Sequence, residues 1–197
     1  MRLGDRLAIG LSTAALAVTG LVAPAGAATE AEPTVRQLLE QCENGNTDLC
    51  EFHPSGPPED YRGSYDLVGG ATNCSGGTST RIIRWESTRS TSTNVSVTIS
   101  ANATLGEVFE VGFETSYERQ WSWSTTKSDE IRHELGPDQA VNIYAAPMRQ
   151  KVTGTYELHF GDPYYGHYYW YVNNVTVDGP RDNPAWETRV ESKPANC

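Results

Sequence analysis

The sequence lacks the usual marks of catalysis. It contains no GxSxG, no HExxH, no P-loop and no GxGxxG following a strand, so the common nucleophile, metal and phosphate motifs are all missing. The four histidines, His53, His133, His159 and His167, are dispersed, and the four cysteines, Cys42, Cys50, Cys74 and Cys197, form no CxxC pair of the kind zinc sites use. Glu157 and Asp162 resemble a glycosidase pair in type only, since spacing alone defines no pocket. Basic charge is scarce as well: 15 Lys and Arg stand against 25 Asp and Glu. That balance argues against a nucleic-acid partner. The expectation is a protein that is not an enzyme, with no metal and no cofactor.

Long hydrophobic runs are missing with one exception. Arg2 and Arg6 lead into an apolar stretch over residues 7–22, and Pro24 and the small-residue run Ala25-Gly26-Ala27-Ala28 follow it. This is the pattern of a cleaved secretory signal over residues 1–28. No later segment approaches the roughly 20 apolar residues of a spanning helix. The expected product is secreted and extracellular, and without Arg2, Asp5 and Arg6 it carries 13 basic against 24 acidic residues, a net charge of −11. All four cysteines lie beyond the signal, where thiols oxidise, so two disulfides are expected. Of the three pairings, Cys42 with Cys50 and Cys74 with Cys197 is preferred, because the first pair flanks the turn-rich Glu43-Asn44-Gly45-Asn46-Thr47-Asp48.

What is present falls into two parts. Residues 29–58 read as an N-terminal arm: Thr34 and Gln37 have capping-box spacing, and Val35, Leu38, Leu39 and Cys42 share one helical face. So short a helix is not stable alone in water and needs a surface to cover, in its own domain or on a partner. The breaker cluster Phe52-His53-Pro54-Ser55-Gly56-Pro57-Pro58 then marks a boundary, and residues 59–197 form the expected β-domain, with a C-terminal strap from residue 178 tied down by Cys197.

Over residues 61–177 the period changes from 3.6 to 2. The clearest run is residues 94–105, where Val95, Val97, Ile99, Ala101, Ala103 and Leu105 alternate with polar side chains. Alternation resumes with Phe109, Val111 and Phe113 and continues to Tyr117, Trp121 and Trp123. A three-residue loop, 106–108 with Gly106 in the turn, pairs Leu105 with Phe109 and keeps both apolar sets on one face, whereas a two-residue loop would pair Leu105 with Val108 and throw the later apolar residues onto the opposite face. The expectation is therefore a hairpin over residues 95–117. It is either a soluble sheet with one covered face or a membrane-inserting hairpin, since 9 to 11 residues per strand cross a bilayer. In the second case the polar face, with Glu110, Glu114 and Glu118, would line a cation-attracting lumen. Further strands are expected at 79–86, 129–135, 140–145, 151–160 and 168–177, with Gly136-Pro137-Asp138-Gln139 as a turn.

Aromatic residues are concentrated in one block. Tyr164, Tyr165, Tyr168, Tyr169, Trp170 and Tyr171 follow Gly161-Asp162-Pro163. They read either as cross-strand pairs holding a hairpin, with its turn at 161–166, or as a binding face for a protein or a sugar.

The Ser/Thr-rich residues 87–126, followed by 130–134, the Gly136-Pro137-Asp138-Gln139 turn and 141–144, resemble the stretched sheet of aerolysin-type pore-forming proteins. This resemblance implies a mainly β fold, an elongated antiparallel sheet or sandwich. With its signal, cysteine-flanked arm, β-domain and residues 156–172, the whole chain resembles the small adaptor subunit of actinobacterial umbrella toxin particles. That second resemblance implies a non-enzymatic bridge between a large repeat-containing toxin subunit and a lectin-bearing subunit in an antibacterial complex used in interbacterial competition. The arm, through Val35, Leu38, Leu39, Leu49 and Phe52, would enter a cleft on the lectin-bearing partner, and the β-domain would dock on the toxin's repeats. Three functions follow in order: such an adaptor; a small aerolysin-like pore former, the one reading that brings a membrane into play; and a secreted lectin or inhibitor.

Overall fold

The computed structural model describes residues 32–181 and 183–197. The expected signal, 1–28, and the first residues of the arm lie outside them. The described chain is mainly β, with antiparallel pairing throughout, as its alternating sequence implies. In order the elements are α1 (Val35–Glu43), β1 (Leu49–Pro54), β2 (Glu59–Arg62), β3 (Asp66–Asn73), β4 (Ser79–Ser90), β5 (Ser92–Thr93), α2 (Thr104–Tyr117), β6 (Ser124–Leu135), β7 (Gln139–Tyr164), β8 (His167–Pro180) and β9 (Trp186–Pro194).

One strand organises the rest. β7 is 26 residues long, about 85 Å if fully extended, and residues 140–145 and 151–160, expected as separate strands, are both part of it. Its first third pairs with β3 on one side and β9 on the other. The remainder pairs with β2 and then β1 on one side and with β8 on the other. The buried face changes along the way. Val141, Ile143 and Ala145 point inward at odd positions, Ala146 is buried too, and from Gln150 onward the even positions Val152, Tyr156, Leu158 and Phe160 are buried. The phase slips around Pro147, so the sequence reads there as a break although the backbone ladder continues.

Each phase serves its own core. Val141 and Ile143 pack with Leu135, Val68, Ala71, Ile83 and Ile131, which joins β7 and β3 to the two-stranded ribbon of β4 and β6. Trp85 of the ribbon meets Trp186 of β9 edge to face at 6.1 Å. On the other phase Val152, Tyr156, Leu158 and Phe160 pack with Val172, Val175 and Val177 of β8 beneath the two helices.

α1 has the capping box its sequence encodes. Gln37 N donates to Thr34 Oγ1 at 3.2 Å, and Thr34 N donates to Gln37 Oε1 at 2.8 Å. The arm is not a separate appendage. β1 pairs with β7 from Leu49↔His159 to Pro54↔Gly154, Leu38, Leu39 and Phe52 are buried in the larger core, Leu49 is half-buried, and only Val35 of the five expected partner-binding residues is well exposed. The boundary placed at 58 falls within one packed unit, because the apolar stripe of a nine-residue helix found its covering surface in its own chain. Of the residues expected as a strap, 178–180 end β8 and 186–194 form β9, paired with β7, and Cys197 is bonded to Cys74.

The disulfides join Cys42 to Cys50 and Cys74 to Cys197, the preferred pairing. They span 8 and 123 positions. Loop-closure entropy then predicts that Cys74→Ser/Cys197→Ser lowers unfolding free energy by about 4 to 5 kcal/mol and Cys42→Ser/Cys50→Ser by about 2 to 3 kcal/mol. Urea titration of the two double variants checks the order; a larger loss for the short bridge would contradict it.

Candidate functional site

The expected hairpin over residues 95–117 is not present as such, and this is the largest correction to the sequence reading. Residues 94–103 run without a ladder, and Leu105, Gly106, Phe109, Val111 and Phe113 belong to α2. The reason lies in the spacing. Positions 105, 109, 113 and 117 satisfy a period of 2, and they also stand four apart, which places them in one row on a helix. In the structure that row faces inward: Leu105, Phe109 and Phe113 are fully buried, whereas Val111, an equal member of the strand pattern, is 66% exposed. Residues 91–99 keep the alternation in their burial although the chain bends at 94–97, with Val95 and Val97 half-buried, Ile99 buried and the even positions exposed.

α2 is held by its surroundings more than by its own sequence. Its N-cap, Ala103, offers no side-chain hydrogen bond, and its C-cap, Glu118, has φ +55°, a left-handed conformation that costs a non-glycine residue about 1 to 2 kcal/mol. Gly106 and Gly112 each cost about 1 kcal/mol relative to alanine, and Val108 and Val111 are β-branched. Tertiary contacts compensate. Leu105 N donates to Glu43 Oε2 of α1 at 2.9 Å, a cap supplied from far away in sequence, and Tyr156 OH donates to Leu105 O at 2.9 Å. Burial, with the charge of Glu43 adding to it, pushes the Tyr156 hydroxyl well above its usual range, so it remains a donor. Tyr117 OH donates to Gly56 O. Around Phe109 stand Phe52 at 4.9 Å, Trp121 at 5.1 Å and Trp123 at 5.7 Å between ring centres. Gly112 lets the helix lie against β1, where a Cβ would stand 2.2 Å from Phe52 O.

The segment leading to α2 is fastened at the other edge of the sheet. Ser92 and Thr93 pair with Asp178 and Val177 of β8. Asn94 N donates to Thr176 O at 3.2 Å, and its side chain accepts from Thr176 N at 2.8 Å and donates to Asn174 O at 2.9 Å. Residues 91–123 are thus a long excursion between two paired strands, clasped on one side by β8 and on the other by α1 and β1.

The register of those paired strands gives the excursion its interest. β4 and β6 pair without a shift from Ser79↔Leu135 to Ser90↔Ser124. One more bond continues the ladder, Thr91 N donating to Trp123 O at 2.8 Å. Carried forward residue by residue, this register would set Val97 opposite Tyr117, Ala101 opposite Phe113, Ala103 opposite Val111 and Leu105 opposite Phe109, leaving 106–108 as the tip. That is the hairpin whose parity the alternation demands.

The aromatic block forms a hairpin, reversing at Tyr165 (φ +50°) and Gly166 (φ +78°) and not across the whole of 161–166. Two positive φ values in succession define the turn that matches strand twist. Its six candidate residues do not make one surface. Tyr164 stacks on Phe160 at 5.0 Å, and Trp170 Nε1 donates to Tyr164 O at 2.9 Å, so both lean on the core. Tyr165 and Tyr168 are exposed near the tip, while Tyr169 and Tyr171 lie on the solvent face beside a charged cluster. There Glu157 accepts from His159 at 2.7 Å and from Tyr171 at 3.3 Å and pairs with His53 at 2.9 Å. The hydrogen bond from His159, then the nearby His53, holds the Glu157 carboxyl below its ordinary range. Sequence reasoning found the tyrosines but missed this cluster, whose members come from three strands, β1, β7 and β8. Among the described residues no group of three or more His, Cys, Asp or Glu is arranged to hold a metal ion.

No protein-family model matches the sequence, and no curated protein matches it. Among solved structures the chain is similar to the parasporin-2 toxin of Bacillus thuringiensis, described as recognizing cancer cells, with a TM-score of 0.31 and 13% identity over 75% of this chain and 74% of that one. A likeness so weak transfers neither fold nor function.

If tertiary contacts hold α2 in place, Glu43→Ala and Gly112→Ala should loosen it selectively. Loss of the cap is worth about 0.5 to 2 kcal/mol, and the added Cβ must displace the helix from β1. Hydrogen exchange should accelerate across residues 104–117 in both variants while β7 keeps its protection. Unchanged exchange in the helix would show that neither contact restrains it.

Proposed function

We propose that this protein is a small pore former of the aerolysin-like kind, in which residues 91–123 leave the sheet and extend the β4–β6 ribbon as a membrane-inserting hairpin. The observation that carries the reading is that the ladder of β4 and β6, carried forward, gives a pairing of the parity that the apolar alternation of the segment between them requires. A segment chosen only to form α2 would have no reason to match it.

In the hairpin each strand spans 11 residues, 95–105 and 109–119, enough to cross a bilayer. Val95, Val97, Ile99, Ala101, Ala103, Leu105, Phe109, Val111 and Phe113 would face lipid. Tyr117, Trp121 and Trp123 would stand at the end nearer the ribbon, where barrel proteins carry an aromatic girdle. A lone hairpin leaves edge amides unpaired in hydrocarbon, so several copies would have to close a barrel. Among the described residues no helix is long and apolar enough to cross a membrane; in this reading strands do so.

The adaptor reading retains one support, the exposed tyrosines of the β7–β8 hairpin, which are open to a protein or a glycan. It loses the arm, since Leu38, Leu39 and Phe52 are already covered by the chain itself. Co-purification of a large repeat protein and a lectin-bearing protein with the chain from its own culture fluid would favour it over the pore.

Two exposed residues separate lipid contact from folding. Ala101 and Val111 face solvent in the structure but lipid in the hairpin, so arginine at either should change stability by no more than about 0.5 kcal/mol while opposing insertion by up to about 2 to 4 kcal/mol per copy. Asn102 and Ser116 are also exposed but fall on the polar face of the hairpin. Ala101→Arg and Val111→Arg should abolish dye release from vesicles and killing of susceptible cells, whereas Asn102→Arg and Ser116→Arg should spare both. Equal behaviour of all four would sink the hairpin.

A further inference from the structure

We propose that the channel formed by this hairpin passes cations in preference to anions, an inference that rests on the pore-forming reading and specifies what the pore conducts. The pairing fixed by β4 and β6 sets three of the four glutamates of the excursion on one face, and the fourth, Glu107, lies in the unpaired tip. Glu110, Glu114 and Glu118 occupy even positions opposite Thr104, Ser100 and Ser96, and the remaining even positions of the two paired strands, 92–104 and 110–122, hold Ser, Thr, Asn, Gln or Gly, while Val108 lies in the tip. No lysine or arginine shares that face. The one basic residue of the segment, Arg119, is odd and lies opposite Val95, at the ribbon end of the apolar face.

Closing several copies into a barrel would turn each glutamate into a ring. The three rings would stand four residues apart, about 14 Å along the strand, which exceeds the screening length of about 8 Å at physiological salt. Each ring would therefore act on a passing ion separately, and no basic ring would offset any of them. Rings of carboxylates in a low-dielectric wall concentrate cations and repel anions. In the soluble structure the same three side chains are unremarkable: Glu110 accepts from Trp123 Nε1 at 3.3 Å, and Glu114 and Glu118 face solvent. Their common face appears only in the hairpin.

The test is the reversal potential of channels formed by the purified protein in a planar bilayer under a potassium chloride gradient. The expected value lies toward the potassium equilibrium potential, and Glu110→Gln/Glu114→Gln/Glu118→Gln should lower the cation to anion permeability ratio severalfold, moving the reversal potential toward zero. Channels that favour chloride, that do not discriminate, or that ignore the triple substitution would overturn this inference and leave the pore standing. Absence of conductance from every variant, together with failure of dye release, would overturn the pore and the selectivity together.

Discussion

Two cores on opposite faces of one strand set the conditions for everything else in this molecule. β7 buries odd positions against the β4–β6 ribbon and even positions beneath the helices, so neither core can form without the same backbone. The slip of phase around Pro147 is where the two halves share their covalent support. It also means that the ribbon and the helix-covered sheet are separate packing problems: disturbing Phe109 or Phe113 leaves Ile83, Ile131 and Leu135 with their own partners. Departure of a segment from the second core would leave the first closed because apolar burial is divided in this way.

α2 shows how a helix exists against its own preferences. Its two glycines, β-branched residues, uncapped start and left-handed end all work against it, and a charged side chain from α1, a buried tyrosine hydroxyl and a cluster of aromatic rings work for it. Local preference and tertiary packing disagree over these residues, and natural chains usually keep such disagreement for places where it has a use. The alternative that local preference favours is specified to the residue by the flanking ladder.

Much of the fold was legible because it depends on short-range signals. The capping box of α1, the C-terminal end of β6, the turn at residues 136–139 and the disulfide partners follow from spacing and turn chemistry. The single long β7 was not legible, since a slip in burial phase reads as an interruption even where backbone pairing is continuous. α2 was not legible either, because a row at 105, 109, 113 and 117 fits both periods and its cap, Glu43, lies about sixty positions away. The alternation did identify the segment and the pairing partners it is suited to; it could not indicate that a different conformation is occupied. Of the aromatic block, the strand positions were correct, but alternation divides six neighbours in sequence between the core and the solvent, so they do not form one face.

The two disulfides have a topological consequence. Cys42–Cys50 stitches α1 to β1, the two elements against which α2 rests, and Cys74–Cys197 closes a ring that contains residues 91–123 without crossing them. No covalent tie spans the excursion itself. It is an unclosed bight of chain within a riveted frame, and the hairpin proposed for it would require neither disulfide to break. An oxidising environment therefore fixes the cradle covalently and adds no covalent bond to its occupant.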